Sequence, residues 1–256
     1  QHRNSQIYEM NFQKQAERRI TFQDGDAFSP RYFEDNKIIY ASTTDEIKES
    51  LMTREDLSKS QNRLEIYTSD LYGNDILRWT KSPGYDGQVT THQRSTPRKI
   101  YFVSLSQPTH GLYVLESPLQ KPKALYTSQK VIAHPEISPD GQRLVWIERD
   151  EKQKNETLMY SSLKKWKPQV WLQTSGSWGR VGWGPEPGQL LLSERRANQK
   201  DHQLVLYDTE LKCALWRLSA PGHSLLDPVL NDNNPRLLVF TRQHEEKSQI
   251  YLMNMD

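Results

Sequence analysis

One pattern recurs five times along the chain and limits what the chain can fold into. Its clearest copy is the segment Ala133–Trp146, AHPEISPDGQRLVW, in which Ser138–Gly141 separates two apolar runs. Proline fixes φ near −65° early in a turn and glycine accepts a positive φ later in it, so this segment predicts a β-hairpin. The residues aligned with Ser138 follow one another at spacings of 62, 43, 46 and 47 residues: Phe33, Ser95, Ser138, Gly184 and Asn231.

Most copies also carry a second pair of strands after the hairpin. In the fourth copy these are the apolar runs Leu204–Tyr207 and Ala214–Arg217. A period of about 40 to 50 residues with four strands in each repeat is typical of β-propeller blades. We therefore predict an all-β fold, a single β-propeller domain over residues 1–256 built from four-stranded antiparallel blades.

The chain ends decide the expected number of blades. Residues 5–11, SQIYEMN, nearly duplicate residues 248–254, SQIYLMN, and residues 18–22, RRITF, resemble a fourth strand. The C-terminal copy, residues 225–254, has three strands, so we expect the N-terminal strand Arg18–Phe22 to complete it and to close five blades. If the native chain continues past Asp256, six blades are the alternative, with residues 6–22 as the outer half of the sixth.

An insertion at residues 43–62 interrupts the first blade. Thr43 and Glu46 have the spacing of a capping box, and Ile47 and Leu51 share one helical face. A short helix is therefore expected between the second and third strands. Such a loop either shapes a binding surface or is a solvated decoration.

Composition excludes some classes of protein. The chain has 34 basic and 32 acidic residues, a net charge of +2, which argues against nucleic acid as the main partner. It has no run of 18 apolar residues, so no membrane span is expected, and no signal peptide is visible. The single cysteine, Cys213, falls in an expected strand and is predicted to be a buried thiol.

At this level the repeat resembles that of TolB-type propellers. The resemblance depends on the full SPDG at Ser138–Gly141, on residues 248–254, and on residues 66–80, IYTSDLYGNDILRWT, followed by residues 82–87, SPGYDG. It spans roughly residues 5–256 and covers the propeller only, without the N-terminal α/β domain that TolB carries. The resemblance implies a bacterial cell-envelope protein, periplasmic or secreted, that binds other proteins.

Motifs of catalysis or metal binding do not stand out. The sequence has no CxxC, HExxH, GxSxG or Walker motif. His92, His134 and His223 all precede expected first strands and in principle could hold a metal. Because they occupy different repeat positions, we expect neither a metal nor a cofactor.

A sharper candidate site comes from the repeat alignment itself. The position four residues before the Ser138 slot, at the expected start of each innermost strand, is polar in all five copies: Ser29, Thr91, His134, Arg180 and Asp227. We expect these residues to surround one mouth of the central channel, either as a funnel for a peptide or small polar ligand or simply as a water-filled opening. Arg180 and Asp227 could pair with each other.

Loop residues are expected to extend this rim. Tyr85 and Asp86 lie on a predicted connecting loop of the same face, and Trp178 lies in a predicted loop before a first strand. All three are candidate ligand contacts.

Two classes of function fit this sequence. The first is a non-catalytic module that binds a protein or peptide. The alternative is an enzyme or binding protein that acts on a polysaccharide or other polar ligand at the channel mouth. The predicted ring contains one carboxylate, Asp227, and one histidine, His134, whereas glycoside chemistry needs paired carboxylates and a metal centre needs several ligands, so the first class is favoured. The oligomeric state stays open, since an unpaired strand at Gln6–Asn11 could pair between molecules.

Overall fold

A computed structural model of the protein describes residues 4–34, 36–44, 63–82, 84–92, 98–106, 109–231 and 234–255. Within these ranges the secondary structure consists of β-strands, turns and loops, with no helix. No helix long and apolar enough to cross a membrane occurs in this part of the chain. The helix predicted in the 43–62 insertion lies outside the described residues from position 45 onward.

The chain divides into two compact units, Gln1–Gln129 and Lys130–Asp256. The first unit contains a hairpin and two blades. Its hairpin strands are β1 (Tyr8–Asn11) and β2 (Ala16–Arg19). The first blade consists of β3 (Ala27–Tyr32), β4 (Lys37–Ser42), β5 (Glu65–Asp70) and β6 (Leu77–Arg78). The second blade consists of β7 (Tyr85–Thr91), β8 (Ile100–Ser106), β9 (Thr109–Leu115) and β10 (Lys123–Ser128).

The second unit contains three blades. The third blade consists of β11 (Val131–Ile137), β12 (Arg143–Asp150), β13 (Asn155–Ser162) and β14 (Gln169–Thr174). The fourth blade consists of β15 (Ser177–Trp183), β16 (Gln189–Arg195), β17 (Gln203–Asp208) and β18 (Cys213–Leu218). The fifth blade consists of β19 (Ser224–Asn231), β20 (Asn234–His244) and β21 (Lys247–Asn254).

Each blade is an antiparallel sheet whose strands pair in chain order, and five such blades define a β-propeller, as predicted. The SPDG segment forms the expected turn between β11 and β12. Gly141 has a φ of 68°, and its N–H donates to the Ser138 carbonyl at 2.8 Å. The Ser138 hydroxyl bonds the Asp140 carboxylate and also accepts from the Arg143 N–H. This turn chemistry explains why the motif marks the repeat so clearly.

Apolar side chains of successive blades pack together inside each unit. In the second unit, Val145 and Leu158 of the third blade join Val181, Trp183 and Leu192 of the fourth blade in one buried cluster. A four-stranded sheet cannot bury both of its faces alone, so each blade depends on its neighbour for burial. The apolar runs recognised in the sequence are therefore the blade cores.

The N-terminal hairpin lies against the first blade. Ile7 and Ile20 are buried with Ile38, Tyr40 and Tyr67. The predicted addition of Arg18–Phe22 to the C-terminal blade does not appear among the strand pairings of the described residues. There, β2 is hydrogen-bonded to β1, and the last sheet is β19–β20–β21. The local turn at 12–15 favours a hairpin, and burial of its isoleucines holds that hairpin on the first blade.

Cys213 differs from its prediction, because its side chain is exposed. It begins β18, the edge strand of its sheet, where exposed and half-buried residues alternate. An edge strand covers one face only, so a residue of such a strand can face solvent even when its neighbours are apolar.

The position of the hairpin leads to a test with two glycines. Gly73 and Gly222 both have positive φ, 81° and 73°, so an alanine costs about 1 kcal/mol at either site from backbone conformation. A Cβ on Gly73 would also collide with the Ile20 carbonyl oxygen, whereas Gly222 has open space around it. We expect Gly73→Ala to lower the free energy of unfolding by about 1–3 kcal/mol more than Gly222→Ala, measured by urea denaturation. Equal losses would contradict the docked hairpin.

Candidate functional site

The first strand of every blade carries a β-bulge at the same place. The pairing shifts between Phe28 and Arg31, Gly87 and Thr90, Ala133 and Glu136, Trp178 and Val181, and Leu226 and Val229. A bulge leaves an extra residue out of the ladder and redirects its side chain. Four of the bulge residues adopt the left-handed conformation, with φ near 50°: Ser29, Gln88, His134 and Asp227.

These bulges correct two expectations about the candidate ring. Ser29, His134, Arg180 and Asp227 lie in the middle of their strands and not at the strand starts, and Thr91 is the last residue of its strand. The equivalent residue in the second blade is Gln88, since Gln88 and not Thr91 has the left-handed φ of the bulge. The sequence alignment slipped because residues 92–99 connect β7 to β8, a longer connection than residues 138–142 between β11 and β12.

In the second unit the bulge residues lie on three successive first strands. We call His134, Glu136, Arg180 and Asp227 the bulge cluster. The Arg180 guanidinium lies 3.7 Å from the Glu136 carboxylate, so Arg180 pairs with β11 and not with Asp227 as the sequence had suggested. Gly182 lets β19 approach β15 closely, because a Cβ there would lie 3.2 Å from the Pro228 carbonyl oxygen.

Asp227 is exposed, and no described residue forms an ion pair with it within 4.0 Å. Desolvation nevertheless raises the pKa of its carboxyl group, an effect partly offset by His202. A carboxylate of this kind accepts hydrogen bonds or pairs with a cation.

His202 is a neighbour that the sequence did not single out, since it follows no repeat slot. Its N–H donates to the Ser224 hydroxyl at 3.2 Å, and its carbonyl accepts from the Leu225 N–H at 2.9 Å. Burial lowers the pKa of its imidazole, with Arg195 acting in the same direction. Its backbone thus connects β17 to β19 and places its ring near Asp227.

In the first unit, Ser29 is exposed and Gln88 is half-buried. Tyr85 lies three residues before Gln88, its hydroxyl hydrogen-bonds Gln88, and burial raises the pKa of that hydroxyl. Tyr85 and Asp86 were expected on a connecting loop, but both belong to β7, and the Asp86 side chain is 1% exposed. Thr91 ends that strand, half-buried, and its hydroxyl donates to the Lys99 carbonyl.

Trp178 was also expected in a loop, but it belongs to β15. It is 3% exposed and packs in the core with Val145 and Val181. It occupies the position two residues before the bulge, where Ile132 and Leu225 stand in other blades and are buried too. Side chains two residues apart recur at this position as one apolar and one polar residue, here Trp178 and Arg180. This recurring pair is the sequence signal that could have identified Trp178 as a core residue.

The histidines do not form a metal group in the described part of the chain, where no three His, Cys, Asp or Glu side chains come together as one. His223 instead stacks near His244, with ring centroids 4.8 Å apart, and contacts the Arg242 guanidinium.

Comparison with solved structures shows a TolB-like β-propeller fold. TolB from Acinetobacter baumannii is 12% identical with a TM-score of 0.64, over 90% of this chain and 65% of its own. Oligogalacturonate lyase from Vibrio parahaemolyticus is 11% identical with a TM-score of 0.65, over 98% of this chain and 72% of its own. Hydrazine synthase of Kuenenia stuttgartiensis is 10% identical with a TM-score of 0.72, over 98% of this chain and 40% of its own.

No protein-family model and no curated protein sequence matches the chain. Identities of 10–12% carry the fold and nothing more. The named neighbours include both a lyase and TolB, so the fold alone does not separate binding from catalysis.

The left-handed bulge can be tested by exchanging glycine and alanine. At Ser29, with φ of 51°, we expect Ser29→Gly to be more stable than Ser29→Ala by about 1 kcal/mol, because alanine pays for the left-handed conformation. At Thr127, an exposed residue of β10 without positive φ, the order should reverse, with glycine about 0.5–1 kcal/mol less stable. Chemical denaturation of the four variants measures both differences. The same order at both sites would contradict the bulge.

A second prediction concerns the Asp227 carboxylate. Asp227→Asn keeps a residue that tolerates the left-handed conformation and removes a desolvated charge. We expect the free energy of unfolding at pH 7 to rise, by less than about 1 kcal/mol because the group reaches solvent. Since a raised pKa means that the folded protein takes up the proton first, wild-type stability increases as pH falls through that pKa, and the difference should vanish at acid pH.

The matched control is Asp75→Asn, at an exposed turn residue with the same φ of 51°. It should change the free energy of unfolding at pH 7 by no more than about 0.5 kcal/mol. A loss of stability in Asp227→Asn at pH 7 would show that the native carboxylate is well solvated or paired.

Proposed function

We propose that the protein is a non-catalytic propeller of the bacterial cell envelope that binds an extended peptide segment of another protein at the bulge cluster. The observation that carries the proposal is the polar bulge repeated in successive first strands, with the Asp227 carboxylate exposed and without an ion pair among the described residues. Bulged strands leave backbone groups outside the ladder, and these can bond the donors and acceptors of a peptide backbone.

The charges of the cluster favour a particular kind of segment. Arg180 forms an ion pair with Glu136 at 3.7 Å, whereas Asp227 has no ion pair among the described residues and offers its carboxylate to the ligand. A lysine, an arginine or a free amino terminus is the group that gains most from it. Arg180 can exchange its partner for a ligand carboxylate, so the segment would combine a basic group with a neighbouring acidic one.

The similarity to TolB from Acinetobacter baumannii supports a role in the cell envelope, periplasmic or secreted. The surface in question needs no metal and no cofactor for this role. The partner is a protein or peptide and not nucleic acid, because basic and acidic residues are nearly balanced.

The experiment is a selection of displayed random peptides on the immobilised wild-type protein. We expect the enriched peptides to share a basic residue. The triple variant His134→Ala, Arg180→Ala, Asp227→Ala should lose at least tenfold in affinity by fluorescence polarisation. The control is a triple variant of exposed turn residues, Lys164→Ala, Lys165→Ala, Glu210→Ala, which should bind as the wild type does. Equal binding by both triple variants would refute the proposed site.

One observation favours the alternative of polysaccharide chemistry. Glu136 of β11 and Asp227 of β19 are two carboxylates on first strands of the second unit, and oligogalacturonate lyase from Vibrio parahaemolyticus has a similar fold. The same protein preparation should therefore be incubated with oligogalacturonates and other acidic glycans. Product formation that is lost in Glu136→Gln and in Asp227→Asn would replace the binding function by an enzymatic one.

A further inference from the structure

Two buried carboxylates lie side by side between the first and second blades, inside the first unit. Glu65 begins β5 and Asp86 is the second residue of β7, and each is 1% exposed. The Asp86 N–H donates to the Leu64 carbonyl at 2.7 Å, and the Ser82 N–H donates to Glu65 Oε1 at 2.6 Å. These bonds hold the β5 and β7 backbones together here, and the two carboxylates are close enough for the charge of Asp86 to act on Glu65.

One oxygen of each carboxylate lacks a partner. Glu65 Oε1 accepts from Ser82 and lies 3.2 Å from the Arg78 guanidinium, while Glu65 Oε2 is buried without a hydrogen bond. Asp86 interacts with nearby hydroxyls, but its Oδ1 is also buried without a hydrogen bond. A buried anionic oxygen without compensation is costly. The hydroxyls that surround the pair are those of Thr80, Ser82 and Ser104.

Other blades carry different residues at the positions equivalent to Glu65 and Asp86. The residue two before the bulge is apolar in four blades and acidic in one: Ala27, Asp86, Ile132, Trp178 and Leu225. The backbone bond of Asp86 to Leu64 recurs as Ala27 to Ser5, so Gln6 corresponds to Glu65. The Gln6 amide is fully used, since Thr21 donates to its oxygen and its nitrogen donates to Gly25.

Glu156 is a further contrast, from the second unit. Arg149 donates to its Oε1 at 2.8 Å and the Trp178 N–H donates to its Oε2 at 2.5 Å. Both carboxylate oxygens of Glu156 therefore accept hydrogen bonds, and the residue next to Glu156 on the following blade is the apolar Trp178. The acidic pair at Glu65 and Asp86 exceeds what blade packing requires.

We propose that Glu65 and Asp86 bind a hard divalent cation of the calcium type, with the hydroxyls of Thr80, Ser82 and Ser104 as supporting oxygen ligands. Carboxylate and hydroxyl oxygens are the donors that such cations prefer. Two carboxylates against one guanidinium leave a net negative site. Calcium is favoured over magnesium because magnesium keeps several waters, and the two unpartnered oxygens are sealed from solvent.

The cation would join β5 to β7, so its effect is to hold two blades together. This role is independent of peptide binding at the bulge cluster, which lies in the other unit. A proton shared between the two carboxyl groups is the competing way to satisfy the same oxygens.

The test is thermal unfolding of protein stripped with a chelator, at pH 7.5, with and without added Ca²⁺ or Mg²⁺. We expect Ca²⁺ at a hundredfold excess over its Kd to raise the Tm by about 5–10 °C, and Mg²⁺ to do less. Isothermal titration of the stripped protein with Ca²⁺ alone should give one site per chain.

The matched variant is Glu65→Gln with Asp86→Ala, which copies the Gln6 and Ala27 arrangement of the same chain. It should show no Ca²⁺ shift, because both carboxylate ligands are gone. Glu210→Gln, at an exposed turn, should keep the full shift and so serves as the control for loosely bound cations.

Two results would overturn the proposal. One is a Ca²⁺ shift of equal size in the double variant. The other is a wild type that ignores Ca²⁺ and Mg²⁺ but gains stability as pH falls, whereas the double variant does not, which would assign the pair to a shared proton.

Discussion

Burial of one blade against the next is the interaction on which each unit depends. The sheets are thin, and their middle strands are apolar on both faces, so a blade without a neighbour would expose half of its core. In the second unit the cluster around Val145 and Trp183 shows this directly, since third and fourth blades contribute to one core. Hydrogen bonds between blades are needed for the same reason, because packing of the blades removes polar groups from water. When Glu156 joins Arg149 to the Trp178 backbone, it satisfies groups that the packing has removed from water.

The repeat was the strongest signal in the sequence, because turn chemistry is local. Pro139 and Gly141 constrain their own dihedral angles, and Ser138 and Asp140 bond neighbouring backbone, so the motif can be recognised without knowing the fold. The five copies of the turn region correspond to the five blades of the structure. The N-terminal hairpin could not be placed in this way, since strand pairing between distant segments depends on burial of Ile7 and Ile20 and not on local residue type.

The candidate site was predicted less well, for a physical reason. A bulge shifts the side-chain alternation by one residue, and nothing in the residue types marks it, because serine, glutamine, histidine and aspartate all occupy the bulge. Gln88 was missed because the connection between β7 and β8 is longer than in the reference repeat, which shifted the alignment by three residues. Trp178 was assigned to a loop although it is buried in the core. The unpartnered oxygens of Glu65 and Asp86 depend on three-dimensional contacts that no motif records.

The left-handed bulge also limits which residues the surface can acquire over time. At four of the five positions a valine, isoleucine or threonine would be strained, and the residues that tolerate the conformation best are glycine, asparagine and aspartate. Random substitution therefore replaces one small or polar side chain by another and rarely creates an apolar patch there. The bulge positions therefore stay polar under random substitution, which keeps this surface hydrated and resistant to aggregation.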